Sequence, residues 1–215
     1  MDAIIFAHHL PLNVGVTRRH LALIRSLNRD CDVIPLKFAE GRESPHWQWA
    51  NCDLMLLEWF DQNQPKHNRF YFIEADTFCT MPLKEFYGSA YDRPAVGSVI
   101  VKPWSDDLIE GTREPQRMRD FEWFKGNTSG ELYPYLRAFT PSCGAMFSHD
   151  ALFNMVQIWK TVRGFERLFS EVRLGTLACM AGYEPAQIRP DCAKFISPRG
   201  VDIDQGPGIY HSVKT

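Results

Sequence analysis

Apolar positions in this chain gather into short runs divided by turn-forming and charged residues. Ala3 to Ala7 is the first such run and predicts a buried strand that ends at His8-His9. Leu10 to Gly15 carries Pro11, Asn13 and Gly15, so a loop is expected there. Thr17 suits the cap of a helix running to about Asn28, with Leu21, Ile24 and Leu27 on its inner face. Cys31 to Phe38 predicts a second strand, whose Pro35 suits an edge or a bend. The run from Asp53 to Glu58 predicts a third, buried strand, with a loop from Trp59 to Asn68 after it. Phe70 to Ile73 predicts a fourth strand, Leu83 to Tyr87 a short helical turn, and Pro94 to Val101 a further strand.

The character changes from Lys102 to Tyr135. Long apolar runs give way to Trp104, Asp106, Asp107, Trp123, Lys125, Asn127 and Tyr133, so an insertion or active-site loop is expected, with one short helix near Gln116 to Phe124. Cys143 to Phe147 then predicts a strand of small residues. Asp150 suits the cap of a helix from Ala151 to about Val162. A second helix is expected from Ser170 to Met180, stopped by Gly182, and Tyr183 to Ile188 predicts the last strand. Ser197 to Thr215, with Gly200, Gly206 and Gly208, is expected to be a tail that folds back over the site. The alternation predicts one α/β domain over residues 1–215, with a mostly parallel sheet flanked by helices.

Composition narrows the function classes. The chain has 215 residues, enough for one substantial core. Its net charge of −2, without a basic block, argues against duplex nucleic acid as a partner. No apolar run approaches the ~20 residues a membrane span needs. Met1 to Phe6 lacks the basic start of a signal peptide, so a cytoplasmic protein is expected. Cys31, Cys52, Cys79, Cys143, Cys179 and Cys192 form no CxxC pair, so reduced thiols are expected and structural zinc is not.

The richest stretch is Arg69-Phe70-Tyr71-Phe72-Ile73-Glu74-Ala75-Asp76-Thr77. A buried strand runs straight into two carboxylates, and on a strand an i, i+2 spacing points both to one face. Two acids so placed repel each other and lose hydration, and a divalent cation is the simplest compensation. Three further pieces follow in order. Ser142 to Ser148 is a small-residue turn before a helix, Phe169 to Leu177 carries an acid that opens a helix, and Ile209 to Lys214 holds a histidine near the end.

This ordered set resembles the GT-A fold glycosyltransferases, which have a DxD-type metal motif, a glycine-containing acceptor loop, an acid opening a late helix, and a C-terminal histidine. The resemblance spans nearly the whole chain and implies transfer of a sugar from a nucleotide-diphosphate sugar to an acceptor hydroxyl, such as that of a glycan. By position, Asp76 matches the metal-binding aspartate and His211 the C-terminal ligand. Glu74 stands where the family more often has Asp, so it either ligates the metal or reaches the ribose or a metal-bound water. Glu171 matches the acid that often serves as base, which implies inverting chemistry. Gly144 matches the acceptor-loop glycine, with Cys143 and Ala145 beside it. Trp104 and Trp123 either stack on sugar or base or pack under the insertion. The implied metal is Mn²⁺ or Mg²⁺, given carboxylate, imidazole and phosphate ligands. Lys214 adds a positive contact to the donor.

Ala7, His8 and His9 end the first strand, where open α/β sheets place ligands, and are expected to face the nucleotide. Arg18 and Arg19 are either phosphate-facing or solvated. Each acid also has a plainer reading: Glu74 and Asp76 as solvated strand-end acids, and Glu171 as a helix N-terminal acid favoured by the macrodipole. Two other functions compete. A sugar-phosphate nucleotidyltransferase shares a parallel sheet and a metal, but its first loop is usually glycine-rich and basic, and residues 8–15 here hold one glycine and no lysine. A nucleotide- or carbohydrate-binding module without turnover fits the compact size.

Overall fold

The computed structural model describes residues 1–8, 11–13, 15–37, 51–97, 100–103, 134–140, 144–162, 165, 168, 170–187 and 209–210. The first strand, β1 (Asp2–His8), is apolar at every position from Ala3 to Ala7 and buried on both faces. Such a strand belongs in the middle of a sheet covered on both sides. It pairs in parallel with β2 (Cys31–Lys37) and with β3 (Arg69–Glu74). Helix α1 (Gly15–Leu27) makes the crossover from β1 to β2, burying Thr17, His20, Leu21 and Ile24. Thr17 therefore lies inside the helix and does not cap it.

The central sheet has six strands among the described residues, in the order β2-β1-β3-β8-β5-β9, where β5 is Ala95–Gly97, β8 is Ala145–Ser148 and β9 is Ala186–Gln187. Strand β8 enters antiparallel between β3 and β5, and the remaining pairings are parallel. The predicted strand over Pro94–Val101 is divided: β5 joins the central sheet, while β6 (Ile100–Pro103) pairs antiparallel with β7 (Arg137–Thr140) in a separate ribbon.

Alternate residues of the central strands feed two cores, as a pleated strand requires. Ala3, Ile5, Ala7, Phe70 and Phe72 face α2 (Leu54–Asn63), α4 (His149–Thr161) and α5 (Ser170–Met180). Ile4, Phe6, Tyr71 and Ile73 face α1 and the short α3 (Leu83–Tyr87). Helices thus flank both faces of a mixed α/β sheet.

Residues 54–58 are helix, not the strand expected from Asp53 to Glu58. Leu54, Leu57 and Phe60 are buried at helical spacing, and the pattern continues through Trp59 and Phe60, further than the loop reading allowed. The cap of α4 is Ser148, whose Oγ accepts from the Ala151 N–H at 3.2 Å, and Asp150 lies within the helix. Helix α5 ends as expected: Gly182 takes a left-handed φ of +86°, and the Tyr183 N–H reaches back to the Ala178 carbonyl at 2.9 Å. Cys31, Cys52, Cys79 and Cys179 are free thiols, while Cys143 and Cys192 lie outside the described residues. No helix among the described residues is long and apolar enough to cross a membrane.

Candidate functional site

The site is built on the end of β3. Phe70 to Ile73 are fully buried, and burial eases at Glu74. The strand stops there. The Thr77 N–H donates to the Glu74 carbonyl at 2.9 Å, closing a β-turn with Ala75 and Asp76 at its centre. The Ala75 N–H donates to the Ala7 carbonyl, also at 2.9 Å, and so moors the turn to the end of β1. The same-face expectation for Glu74 and Asp76 assumed extended backbone through both, and the turn removes that premise.

The two acids meet different neighbours. Cys52, buried just ahead of α2, points its thiol at Glu74 Oε1 across 3.6 Å. Asp76 is half-buried, with Oδ1 sheltered from solvent, and its charge acts on His20 of α1. His20 is buried and joins Nδ1 to the Ala75 carbonyl at 2.6 Å. Burial lowers its pKa from the ordinary value, against the opposing pull of the Ala75 carbonyl and the Asp76 charge. A neutral imidazole donating from Nδ1 to Ala75 follows. His20 was missed in the sequence, although it shares the inner stripe of α1 with Thr17, Leu21 and Ile24.

A short ribbon borders the turn. Strand β4 (Phe78–Cys79) pairs antiparallel with β10 (Ile209–Tyr210), which sets the buried Tyr210 opposite Phe78, two residues beyond Asp76. The C-terminal segment therefore returns to the acidic turn at least as far as Tyr210. His211 and Lys214 lie outside the described residues, as do His9, Trp104, Trp123 and Cys143.

Gly144 has a left-handed φ of +79°, where glycine is favoured. Its N–H donates to the Phe72 carbonyl at 2.6 Å, and its carbonyl accepts from the Tyr87 hydroxyl. Ala145 pairs with Phe72 and has no exposed surface. Ala7 is likewise buried, and its carbonyl is engaged by the turn. His8 is 5% exposed beside Phe6, and Arg18 is exposed on α1.

Glu171 lies in the first turn of α5 and is half-buried. Two residues on, Arg173 is fully buried. Its Nη1 donates to Asp53 Oδ1 at 2.5 Å, its Nη2 to Asn51 Oδ1 at 2.7 Å and to the Leu168 carbonyl, and its Nε to the Phe165 carbonyl at 2.7 Å. No cluster of three or more His, Cys, Asp or Glu side chains able to hold a metal occurs among the described residues.

No family model matches the sequence, and no curated protein is similar to it. Among solved structures, one similar chain is a glycosyltransferase involved in the glycosylation of the major capsid of PBCV-1. The TM-score is 0.36 at 12% identity, over 46% of this chain and 52% of that one. This chain therefore matches only about half the length of that neighbour.

Proposed function

We propose that this chain transfers a sugar from a nucleotide-diphosphate sugar to an acceptor hydroxyl, with a divalent metal at Glu74 and Asp76. The observation that supports this most directly is the acidic turn itself. It stands at the carboxyl end of β3, beside the carboxyl end of β1, where open α/β sheets take up ligands.

The residues present suit such a metal. Mg²⁺ and Mn²⁺ favour oxygen ligands and are commonly held by one or two carboxylates plus substrate phosphates, so a complete protein cage is not required. Thr77, next to Asp76, keeps a buried hydroxyl with no hydrogen-bond partner, which leaves polar capacity at the turn. Glu74 and Asp76 would hold the ion, with His211 as a further ligand. When bound, the ion would offset the negative charge that builds on the departing diphosphate.

The chain's own residues supply the rest. Glu171 takes the proton of the acceptor hydroxyl, which is a poor nucleophile until it is relieved of it. Glu171 on the face opposite the leaving group makes the transfer inverting. Gly144 ties the start of β8 to β3, and Lys214 and Arg18 add positive charge for the donor.

The test is turnover of a panel of nucleotide-diphosphate sugars with Mn²⁺, read as nucleotide release. Asp76→Ala is expected to abolish turnover, and Glu171→Gln to keep donor binding while losing turnover. Equal rates in wild type and Asp76→Ala defeat the proposal. Tight nucleotide binding with no transfer to any acceptor would point to a binding module instead.

A further inference from the structure

Residues 51–53 link the supports of both candidate acids. Asn51 and Asp53 accept hydrogen bonds from Arg173, which stands two residues from Glu171. Between them, Cys52 directs its thiol at Glu74. All four of these residues are buried. One three-residue segment therefore touches the acidic turn on one side and the start of α5 on the other.

The chemistry of Arg173 is costly for stability alone. A cation in the first turn of a helix opposes the macrodipole. A buried ion pair is often matched or bettered by well-packed apolar residues. What the guanidinium supplies is geometry: its planar fork engages two side chains and two carbonyls at once, and a lysine ammonium cannot reproduce that pattern. Misplacing a reacting group by about 1 Å can cost ~10²-fold in rate.

Resting on the sugar-transfer reading above, we propose that Asn51, Cys52, Asp53 and Arg173 form a positioning bridge that sets Glu171 relative to the acidic turn. Arg173 holds the start of α5, and Cys52 orients Glu74 toward the metal. None of the four touches the reacting atoms.

The full chain tests this with Cys52→Ala, Cys52→Ser and Arg173→Lys. Binding of MnCl₂ alone is followed by electron paramagnetic resonance, and kcat and KM are measured for the donor that wild type turns over. Cys52→Ala is expected to weaken Mn²⁺ binding by about tenfold, the low end for groups that orient a ligand, and Cys52→Ser to restore it. Arg173→Lys, assayed below its unfolding temperature, is expected to lower kcat at least ~10-fold with donor KM and Mn²⁺ affinity near wild type. A defect confined to stability would leave those parameters unmoved in the folded fraction. Wild-type Mn²⁺ affinity in Cys52→Ala overturns the bridge, and that arm decides alone where Arg173→Lys fails to fold. The sugar-transfer reading fails differently: wild type itself transfers nothing, or its Mn²⁺ binding survives Asp76→Ala.

Discussion

Replacing Arg173 with methionine removes a buried group that makes four hydrogen bonds. Arg173 and Asp53 are each 0% exposed, and the bond between them is 2.5 Å long. Methionine fills comparable volume, so the loss is electrostatic. Breaking a buried pair by removing one partner typically costs about 3–5 kcal/mol. In a chain of this size each kcal/mol is worth ~2–4 °C, so Tm should fall by about 6–20 °C. Asp53 sharpens the test. Burial pushes its carboxyl above the usual range; Arg173 pulls hardest against that rise, followed by the backbone N–H groups of Asp53 and Leu54. Without the guanidinium only those two backbone N–H groups oppose the upward push of burial, so folded Asp53 keeps a proton that the unfolded chain gives up near pH 4. The folded variant then binds more protons than the unfolded one, and its stability is lost as pH rises through the raised folded value. The measured penalty should accordingly be smaller at pH 5 than at pH 7.5. Adding Asp53→Asn should recover most of it. Urea unfolding of the single and double variants at both pH values measures these terms. A loss below about 1 kcal/mol, well under the usual range for a broken buried pair, or one unaffected by pH and by the second substitution, refutes the reasoning.

Two further outcomes are expected from the packing around the site. A Cβ at position 175 would stand 2.7 Å from the Arg137 carbonyl oxygen, a backbone atom with little freedom to retreat. Overpacking of about 1–3 kcal/mol should outweigh the ~1 kcal/mol gained in helix propensity, so Gly175→Ala is expected to lower Tm by a few degrees, and a rise in a thermal melt would contradict the close approach of α5 and β7. His20, with its pKa depressed by burial, makes stability fall as pH drops from about 6.5 through its lower folded value, because the unfolded imidazole takes up its proton first. Tm measured from pH 7.5 to 5 should decline less steeply in His20→Gln, and matching slopes would show that His20 is not held neutral against Ala75.

Part of this molecule is legible from local pattern. The unbroken apolar runs at Ala3–Ala7 and Phe70–Ile73, rich in isoleucine and aromatic residues, favour central strands, and Ser170 to Gly182 carries a helix and its stop signal. Leu54 to Leu57 was ambiguous for a physical reason. A short apolar run satisfies a buried strand and a buried helix alike, and only its continuation to Phe60 separates them. The ribbon of β4 and β10 left no signal, since two-residue strands carry no period and the pairing joins the Phe78 region to Tyr210 across most of the chain. That Ala7 and Ala145 are buried could not be read locally, because nearness in sequence to a site says nothing about which atoms keep surface.

Sequence alone determined where carboxylates fall against buried strands, and therefore that Glu74 and Asp76 emerge from the core at one point. The tertiary structure decided what meets them, Cys52 at Glu74 and His20 at the turn, and it also bonded Arg173 to Asp53 across 120 positions. Local propensity acts over a few residues. The pairing of distant polar groups is set by which of them lose water together when the helices close on the sheet.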